Sequence, residues 1–211
     1  MQFSEDPGGD VSVQRVGHAF GPEGYKTIAY EIYQDLGVPA AVFVPTAYGE
    51  LLFGIWKGFT ELRRLGLTER LPRMYACQPT AAAPLAEAVR HGVPAAHVTV
   101  GQTEAYSIVS PVSGYRGVVT IQDSGGQVLE LSDAQLEAAR QELARAGLWT
   151  ELSSAAGLAG LRTLGDVDGP VVCISTSSGF KNRSVGLRRT ETIAPDWDDV
   201  RSRLDAAGIR D

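Results

Sequence analysis

Lysine is nearly missing from this chain: Lys26, Lys57 and Lys181 are the only three among 211 residues. Cysteine and histidine are as scarce, at Cys77 and Cys173 and at His18, His91 and His97. No GxxxxGK[ST], HExxH, CxxC or GxSxG occurs, which excludes a P-loop, a zinc-protease helix, a dithiol motif and a serine elbow. The histidines read as surface or capping residues, and a cation at His91 would suit a helix C-terminus. Asp166 with Asp168, and Asp198 with Asp199, fall in loops or on a solvated helix, so neither a metal site nor an acid–base pair is expected there. No apolar run is long enough to span a bilayer. The opening MQFSEDPGGD is polar and acidic, unlike a secretory leader. The net charge is −6 and no basic stripe forms: Arg63, Arg64, Arg70 and Arg73 are interspersed with Glu61 and Glu69. Nucleic-acid binding is therefore not expected. Both cysteines lie in apolar runs and read as buried thiols of a reducing compartment, with a disulfide left open. The expected location is the cytoplasm.

What is present is an ordinary globular composition, 44% apolar and 21% charged, in a chain long enough for one sizeable core. Residues 1–20 are weakly patterned, with one extended stretch, VSVQRVGHAF. From Pro22 the pattern sharpens. PEGYKTIAYEIYQDLG has proline at a helix start, glycine at its end, and Ile28, Ile32 and Leu36 at helical spacing. AAVFVP is a short buried strand. A helix is expected over 48–65, with Leu51, Leu52, Ile55, Phe59 and Leu62 on its apolar face. PRMYACQP is a strand and AAAPLAEAVRHG a helix; AHVTVG is a strand or a loop edge. SPVSGYRGVVTIQDSGG is a helix stopping at Gly125–Gly126, QVLEL is a strand, and Ser132 caps the helix that follows. ELSSAAGLAGLRTLG is a helix, GPVVCIST the last strand, and APDWDDVRSRLDAAG a terminal helix with Pro195 in its first turn.

Strands that are continuous apolar runs, alternating with helices, predict an α/β fold of three layers, a mainly parallel sheet covered on both faces. Three organisational segments are expected: an N-terminal extension (1–20), the main body (21–185) and a C-terminal segment (186–211). Ligands of such sheets gather beyond the carboxyl ends of the strands. PTAYGE, QPTAAAP and STSSGF stand there.

Five segments in register resemble a known family. EGYKTIAYEIYQDLG resembles an E-G-x-K-T-hydrophobic-A-x-E helix, and VFVPTAYGELLFGIWKGFTELRRLG a strand, phosphate loop and helix. LPRMYACQPTAAAPL is similar to a P-R-M strand and A-A-P-L turn. DSGGQVLELSDAQLEAARQELARAGLWTELSSAAGLAGL resembles an S-G-G, S-D-E-E-I and E-P-S-S-A-A-A run, and VVCISTSSGFKN a closing strand with T-G-x-G-L-K-D. Together these resemble threonine synthase and its relatives, the fold-type II enzymes that use pyridoxal phosphate (PLP), over about Glu23 to Asn182. The predicted sheet is then the C-terminal part of that family's large domain.

The resemblance implies a cofactor site. The PLP phosphate would lie on backbone N–H groups of the loop Thr46, Ala47, Tyr48, Gly49 and Glu50, at a helix N-terminus. Thr176 would hydrogen-bond the pyridine nitrogen. Glu151 and Ser153 match a segment near the cofactor ring. The implied chemistry is β- or γ-elimination or replacement on an amino acid. Three departures stand out. The family's loop glycines are reduced to Gly49, Ser177 replaces another glycine, and Glu50 brings a negative charge beside a phosphate of charge about −1.5 to −2. Glu50 either sits in the first turn of the helix or takes the anion position itself. Thr46 reads as phosphate ligand or helix N-cap, Tyr48 as ligand or packing residue, Thr176 as ligand or turn hydroxyl, and Glu151 as site residue or helix-terminal charge.

None of the three lysines matches the family's Schiff-base lysine, which precedes E-G-x-K-T, so no catalytic residue of this chain is assigned. The expectation is one subunit of a split enzyme, its PLP shared with a second polypeptide that carries the N-terminal half and the lysine, in a hetero-oligomer. The alternatives are a non-catalytic scaffold or regulatory subunit on a complete PLP enzyme, or a truncated product.

Overall fold

The computed structural model describes residues 3–5, 11–13, 20–181, 196–206 and 208. The chain divides into two compact units, Met1–Lys181 and Asn182–Asp211. In the first, β1 (Phe3–Glu5) pairs antiparallel with β2 (Val11–Val13). The main body runs α1 (Gly21–Tyr25), α2 (Thr27–Leu36), β3 (Ala41–Pro45), α3 (Glu50–Arg64), β4 (Arg73–Pro79), α4 (Pro84–His91), α5 (Tyr115–Ser124), β5 (Gln127–Leu131), α6 (Asp133–Arg145), α7 (Ala156–Leu164) and β6 (Val171–Cys173). The second unit contains α8 (Trp197–Ala206). His18, Pro195, the boundary expected at 185 and most of VSVQRVGHAF lie outside the described residues.

β3 to β6 form one parallel sheet in the order β5-β4-β3-β6. Alternation along each strand sorts the side chains to two faces, since successive residues of a strand point oppositely. Val42, Val44, Met74 and Ala76 pack with Leu52, Ile55, Phe59, Leu85 and Val118 of α3, α4 and α5. Ala41, Phe43, Tyr75 and Cys77 pack with Leu136, Ala139, Ala156 and Ala159 of α6 and α7. The expected three-layer α/β architecture is thus present. Phe43 and Tyr75 are paired across the two central strands and stack at 4.6 Å between ring centroids. Burial raises both thiols: Cys77 is pushed far up, Cys173 to about 11, and both are free.

Helix ends follow local chemistry. Ser132 accepts from the Gln135 N–H while the Gln135 side chain accepts from the Ser132 N–H, a reciprocal cap for α6. The expected stops at Gly37 and Gly125 are present. Other expectations need correction. The single helix from Pro22 breaks at Lys26, where the Thr27 hydroxyl bonds the Gly24 carbonyl instead of continuing the ladder. Of the two readings of AHVTVG the loop edge holds, with one bridge, His97 to Val112. ELSSAAGLAGLRTLG begins as a 3-10 turn, Ser153–Ala155, before α7. The last strand is three residues, because the hydroxyl-rich segment from Ser175 leaves the sheet.

Lys26 and Lys57 are both held on α1–α3. Lys26 Nζ lies 2.8 Å from Glu23 and 3.1 Å from Glu61, and Lys57 Nζ lies 2.7 Å and 2.8 Å from the same two carboxylates. Hydrogen bonds to Glu23 first, and to Glu61, raise both lysine pKa values, so both stay ammonium. Lys57 and Tyr30 in turn pull the Glu61 carboxyl from its ordinary 4.5 down to about 2. A carboxyl depressed in the folded state stabilises above its unfolded pKa, and the contribution fades as pH falls from about 4.5 toward 2. Glu61→Gln is therefore expected to lower the melting temperature at neutral pH, by a loss of about 1 kcal/mol or less for so accessible a network. In thermal melts over an acid series, the gap from the unaltered protein should close toward pH 2; a gap independent of pH would contradict the assignment.

Candidate functional site

A cleft of about 440 Å³ opens beyond the carboxyl ends of the parallel strands. Its lining includes Ala47, Tyr48, Gly49 and Glu50 from the β3–α3 loop, Ser107 from the 3-10 turn Tyr106–Ile108, Glu151, and Thr176, Ser177 and Lys181 from the segment after β6. Segments far apart in the chain meet there because parallel strands place all their following loops at one end of the sheet.

The β3–α3 loop is shaped by backbone packing. Gly49 has φ of 115°, left-handed, and a Cβ there would lie 3.1 Å from the Gly117 Cα, so glycine alone suits both the angle and the approach. Tyr48 lays its ring on Gly114, whose N–H donates to the Tyr48 carbonyl. The Thr46 N–H donates to the Cys77 carbonyl, whereas the amides of Ala47, Tyr48, Gly49, Glu50 and Leu51 find no acceptor among the described residues. They form the open N-terminus of α3, the usual backbone setting for an anion. Thr46 is buried, does not line the cleft, and donates its hydroxyl to the Val44 carbonyl at 2.7 Å. Its capping role is corrected: Gly49 occupies the N-cap and α3 starts at Glu50, not at 48, because the loop needs the left-handed turn first.

Glu50 does not take the anion position. Its carboxylate accepts from the Arg116 guanidinium of α5 at 2.8 Å, and Arg116 also lies over the Phe53 ring at 5.5 Å. The negative charge in the loop is thus paired sideways.

Glu151 is almost fully buried and does not begin a helix; α7 starts five residues later. Its carboxylate accepts from the Ser107 hydroxyl at 3.1 Å and from Lys181 Nζ at 3.4 Å, and Lys181 also reaches the Ser107 oxygen at 3.0 Å. Ser153 supports this group from behind: its buried oxygen accepts from the Ser107 N–H at 3.2 Å, and it does not line the cleft.

Thr176 is exposed to the cleft and bonds Ser154 at 2.9 Å. Ser154 is buried and already accepts from the Ser177 N–H at 2.8 Å. Were Thr176 to donate to Ser154, the Ser154 proton would be left buried without an acceptor. The satisfied arrangement has Ser154 donating, which leaves the Thr176 proton for a partner in the cleft. An adjoining cavity of about 320 Å³ shares Thr176 and Ser177 and is lined by Trp149 and Thr150.

The profile described as "Pyridoxal-phosphate dependent enzyme" matches residues 1–177. This chain belongs to that family. Threonine synthase of Methanosarcina acetivorans is 35% identical over 173 residues, 76% of this chain and 42% of the relative. Threonine synthase of Mycobacterium tuberculosis is 37% identical over 181 residues, 82% of this chain and 49% of the relative. The chain therefore spans about half the length of the curated relatives it matches. Among solved structures, the L-serine ammonia-lyase of the fungus Rhizomucor miehei superposes with a TM-score of 0.69 at 22% identity, covering 79% of this chain and 54% of that one. Processed threonine deaminase isoform 2 from Solanum lycopersicum gives 0.64 at 18%, covering 89% and 50%. These likenesses bear on the fold, which is that of the family's fold-type II members.

The residues fit the family's cofactor. Five open amides at a helix N-terminus suit a phosphate, the acid among them is neutralised, and an exposed hydroxyl carries a proton suited to a ring nitrogen. Four residues of the site escape sequence reasoning as site residues: Ser107, Arg116, Ser154 and Lys181. Lys181 and Ser154 lie inside the quoted motifs, but only folding brings one into the cleft and turns the other on Thr176. Among the described residues no cluster of three or more potential metal ligands occurs, and no helix is long and apolar enough to cross a membrane.

Proposed function

We propose that this chain is one subunit of a split, PLP-dependent, threonine-synthase-like enzyme, and that the lysine tethering the cofactor belongs to a second polypeptide. The observation that carries the proposal is the division of labour in the cleft. Open amides of the β3–α3 loop and the Thr176 hydroxyl meet at one cleft, while two of the three lysines are locked in ion pairs on α1–α3 and the third faces a buried carboxylate. Ala47, Tyr48, Gly49 and Glu50 would hold the phosphate through their amides. Thr176, oriented by Ser154, would donate to the ring nitrogen and leave it uncharged. The cofactor, when bound, supplies an electron sink for negative charge at an amino acid's α carbon, which serves β- or γ-elimination or replacement. Glu151, Ser107 and Lys181 bound the same cleft with a paired charge that excludes neither carboxylate nor ammonium groups of an amino-acid substrate.

Two surface features support a partner chain. Among the described residues β6 pairs only with β3 and no strand lies on its other edge, and Val171, Val172 and Cys173 on it are half-buried. Tyr106, Trp149 and Phe180 cluster around the turn that carries Lys181, and all are exposed, Phe180 at 83%. Open strand edges and aromatic patches are sites of association. The free thiols suit a reducing compartment, and the proposal places the hetero-oligomer in the cytoplasm.

Trapping tests the proposal. The chain is mixed with a polypeptide carrying the N-terminal half and with PLP, reduced with borohydride, and digested for mass spectrometry. The expected product is a yellow complex that carries the cofactor mass on a lysine of the partner. Label on Lys181, Lys26 or Lys57 would overturn it, and a colourless complex would favour the scaffold reading.

A further inference from the structure

We infer that Arg116 is the residue that lets an acid occupy the phosphate loop, and that the Glu50–Arg116 pair sets the affinity of this cleft for phosphorylated ligands. The inference rests on the cleft being the cofactor's phosphate site. Glu50 is the first residue of α3, in the turn whose amides are open. An unpaired carboxylate there would use up the favourable field of the helix terminus and repel an incoming phosphate. Arg116 comes from α5, 66 positions along the chain, and meets Glu50 Oε2 at 2.8 Å. The Glu50 side chain is 14% exposed and that of Arg116 32%, so the pair is partly screened by solvent. Phe53, one turn further along α3, lies under the guanidinium, which fixes it beside the loop. Arg116 does not itself line the cleft, whereas Glu50 does. Arg116 is accordingly a positioning and charge-compensating residue that acts on phosphate through Glu50.

The Arg116 charge offsets that of Glu50 at the loop, and this makes a sharp forecast for single and double substitutions. Binding of PLP, pyridoxal and inorganic phosphate to the full 211-residue chain is measured by titration calorimetry. The reported quantity is the preference for PLP over pyridoxal. Arg116→Met is expected to lower the preference about three- to tenfold, and Glu50→Gln to raise it by a similar factor. The double variant returns close to the unaltered chain, pyridoxal affinity stays constant throughout, and the differences shrink in high salt. A merely structural role would move pyridoxal and PLP together. Should Arg116→Met not fold, Glu50→Gln still decides: no gain in phosphate preference overturns the inference. A double variant as weak as Arg116→Met also overturns it. If all variants keep the same clear preference for PLP, this inference fails and the cofactor reading stands. If the unaltered chain shows no preference for PLP over pyridoxal, both fall.

Discussion

Replacing Gln78 by leucine is expected to cost about 2–5 kcal/mol of folding stability and to loosen the β3–α3 loop, because two buried amides and the half-buried Ala47 carbonyl lose their partner at once. Gln78 is fully buried at the carboxyl end of β4. Its Oε1 accepts from the Leu85 N–H at 3.0 Å and the Ala86 N–H at 3.2 Å, the first amides of α4. The N-cap residue of that helix, Ala83, has no side-chain acceptor, so Gln78 caps α4 from a neighbouring strand. Its Nε2 donates to the Ala47 carbonyl at 3.0 Å and clamps the loop before α3. Leucine has similar volume but no polar atoms, so the loss is one of hydrogen bonds rather than of packing. Urea denaturation gives the stability change. Hydrogen exchange should show the amides of Leu85 and Ala86 losing protection first, together with faster exchange in the loop from Ala47 to Leu51. Unchanged stability would mean that water replaces all three contacts and that the loop does not depend on Gln78.

A second large effect is expected from Gly126→Val, and a much smaller one from Gly125→Ala. The two glycines are neighbours with different reasons to be glycine. Gly125 ends α5 in the left-handed region, φ 65°, with open space around its would-be Cβ. Alanine there strains only the backbone, at about 1–2 kcal/mol. Gly126 runs flat against β4: a Cβ would stand 1.8 Å from the Met74 carbonyl oxygen and 2.7 Å from its carbon. Those are backbone atoms of a central strand, which cannot turn aside as a side chain would. Met74 is also tied to this turn, its N–H donating to Ser124 Oγ at 3.3 Å, and the Gly126 N–H donates to the Ile121 carbonyl. Valine would push the turn away from the backbone of buried Met74 in β4, at a cost of about 3 kcal/mol or more, enough to leave much of the chain unfolded. Yield of soluble protein and thermal melts of the two variants would show it. Equal effects at both positions would mean that the turn shifts away from β4 freely.

The pair Gly125–Gly126 also shows how far the sequence is readable. As letters, it marks the end of a helix, and that reading is right. Only the fold separates a glycine required by its own dihedral from one required by a neighbour's backbone. Likewise the periodicity of LLFGIWKGF announces a buried helix face, and α3 buries Leu52, Ile55 and Phe59 as expected. The start of that helix is misplaced by two residues because the left-handed turn at Gly49 depends on contact with Gly117. Thr46 has the right residue type for a cap, yet its hydroxyl is used by the Val44 carbonyl within its own turn. Lys57 is legible as a helix member, but the carboxylates it shares with Lys26, Glu23 and Glu61, are not.

What the sequence alone determined is the alternation of strands and helices, which fixes the parallel three-layer sheet and the end of it where ligands gather. This follows from local information, since side-chain period dictates which face is buried. The tertiary structure alone decided which groups meet. Glu50 with Arg116, Gln78 with Ala47, and Lys181 with Glu151 are 66, 31 and 30 positions apart. Such pairs carry no periodic signature. They form because close packing of helices onto the sheet leaves each buried polar group only the partners that the neighbouring element presents.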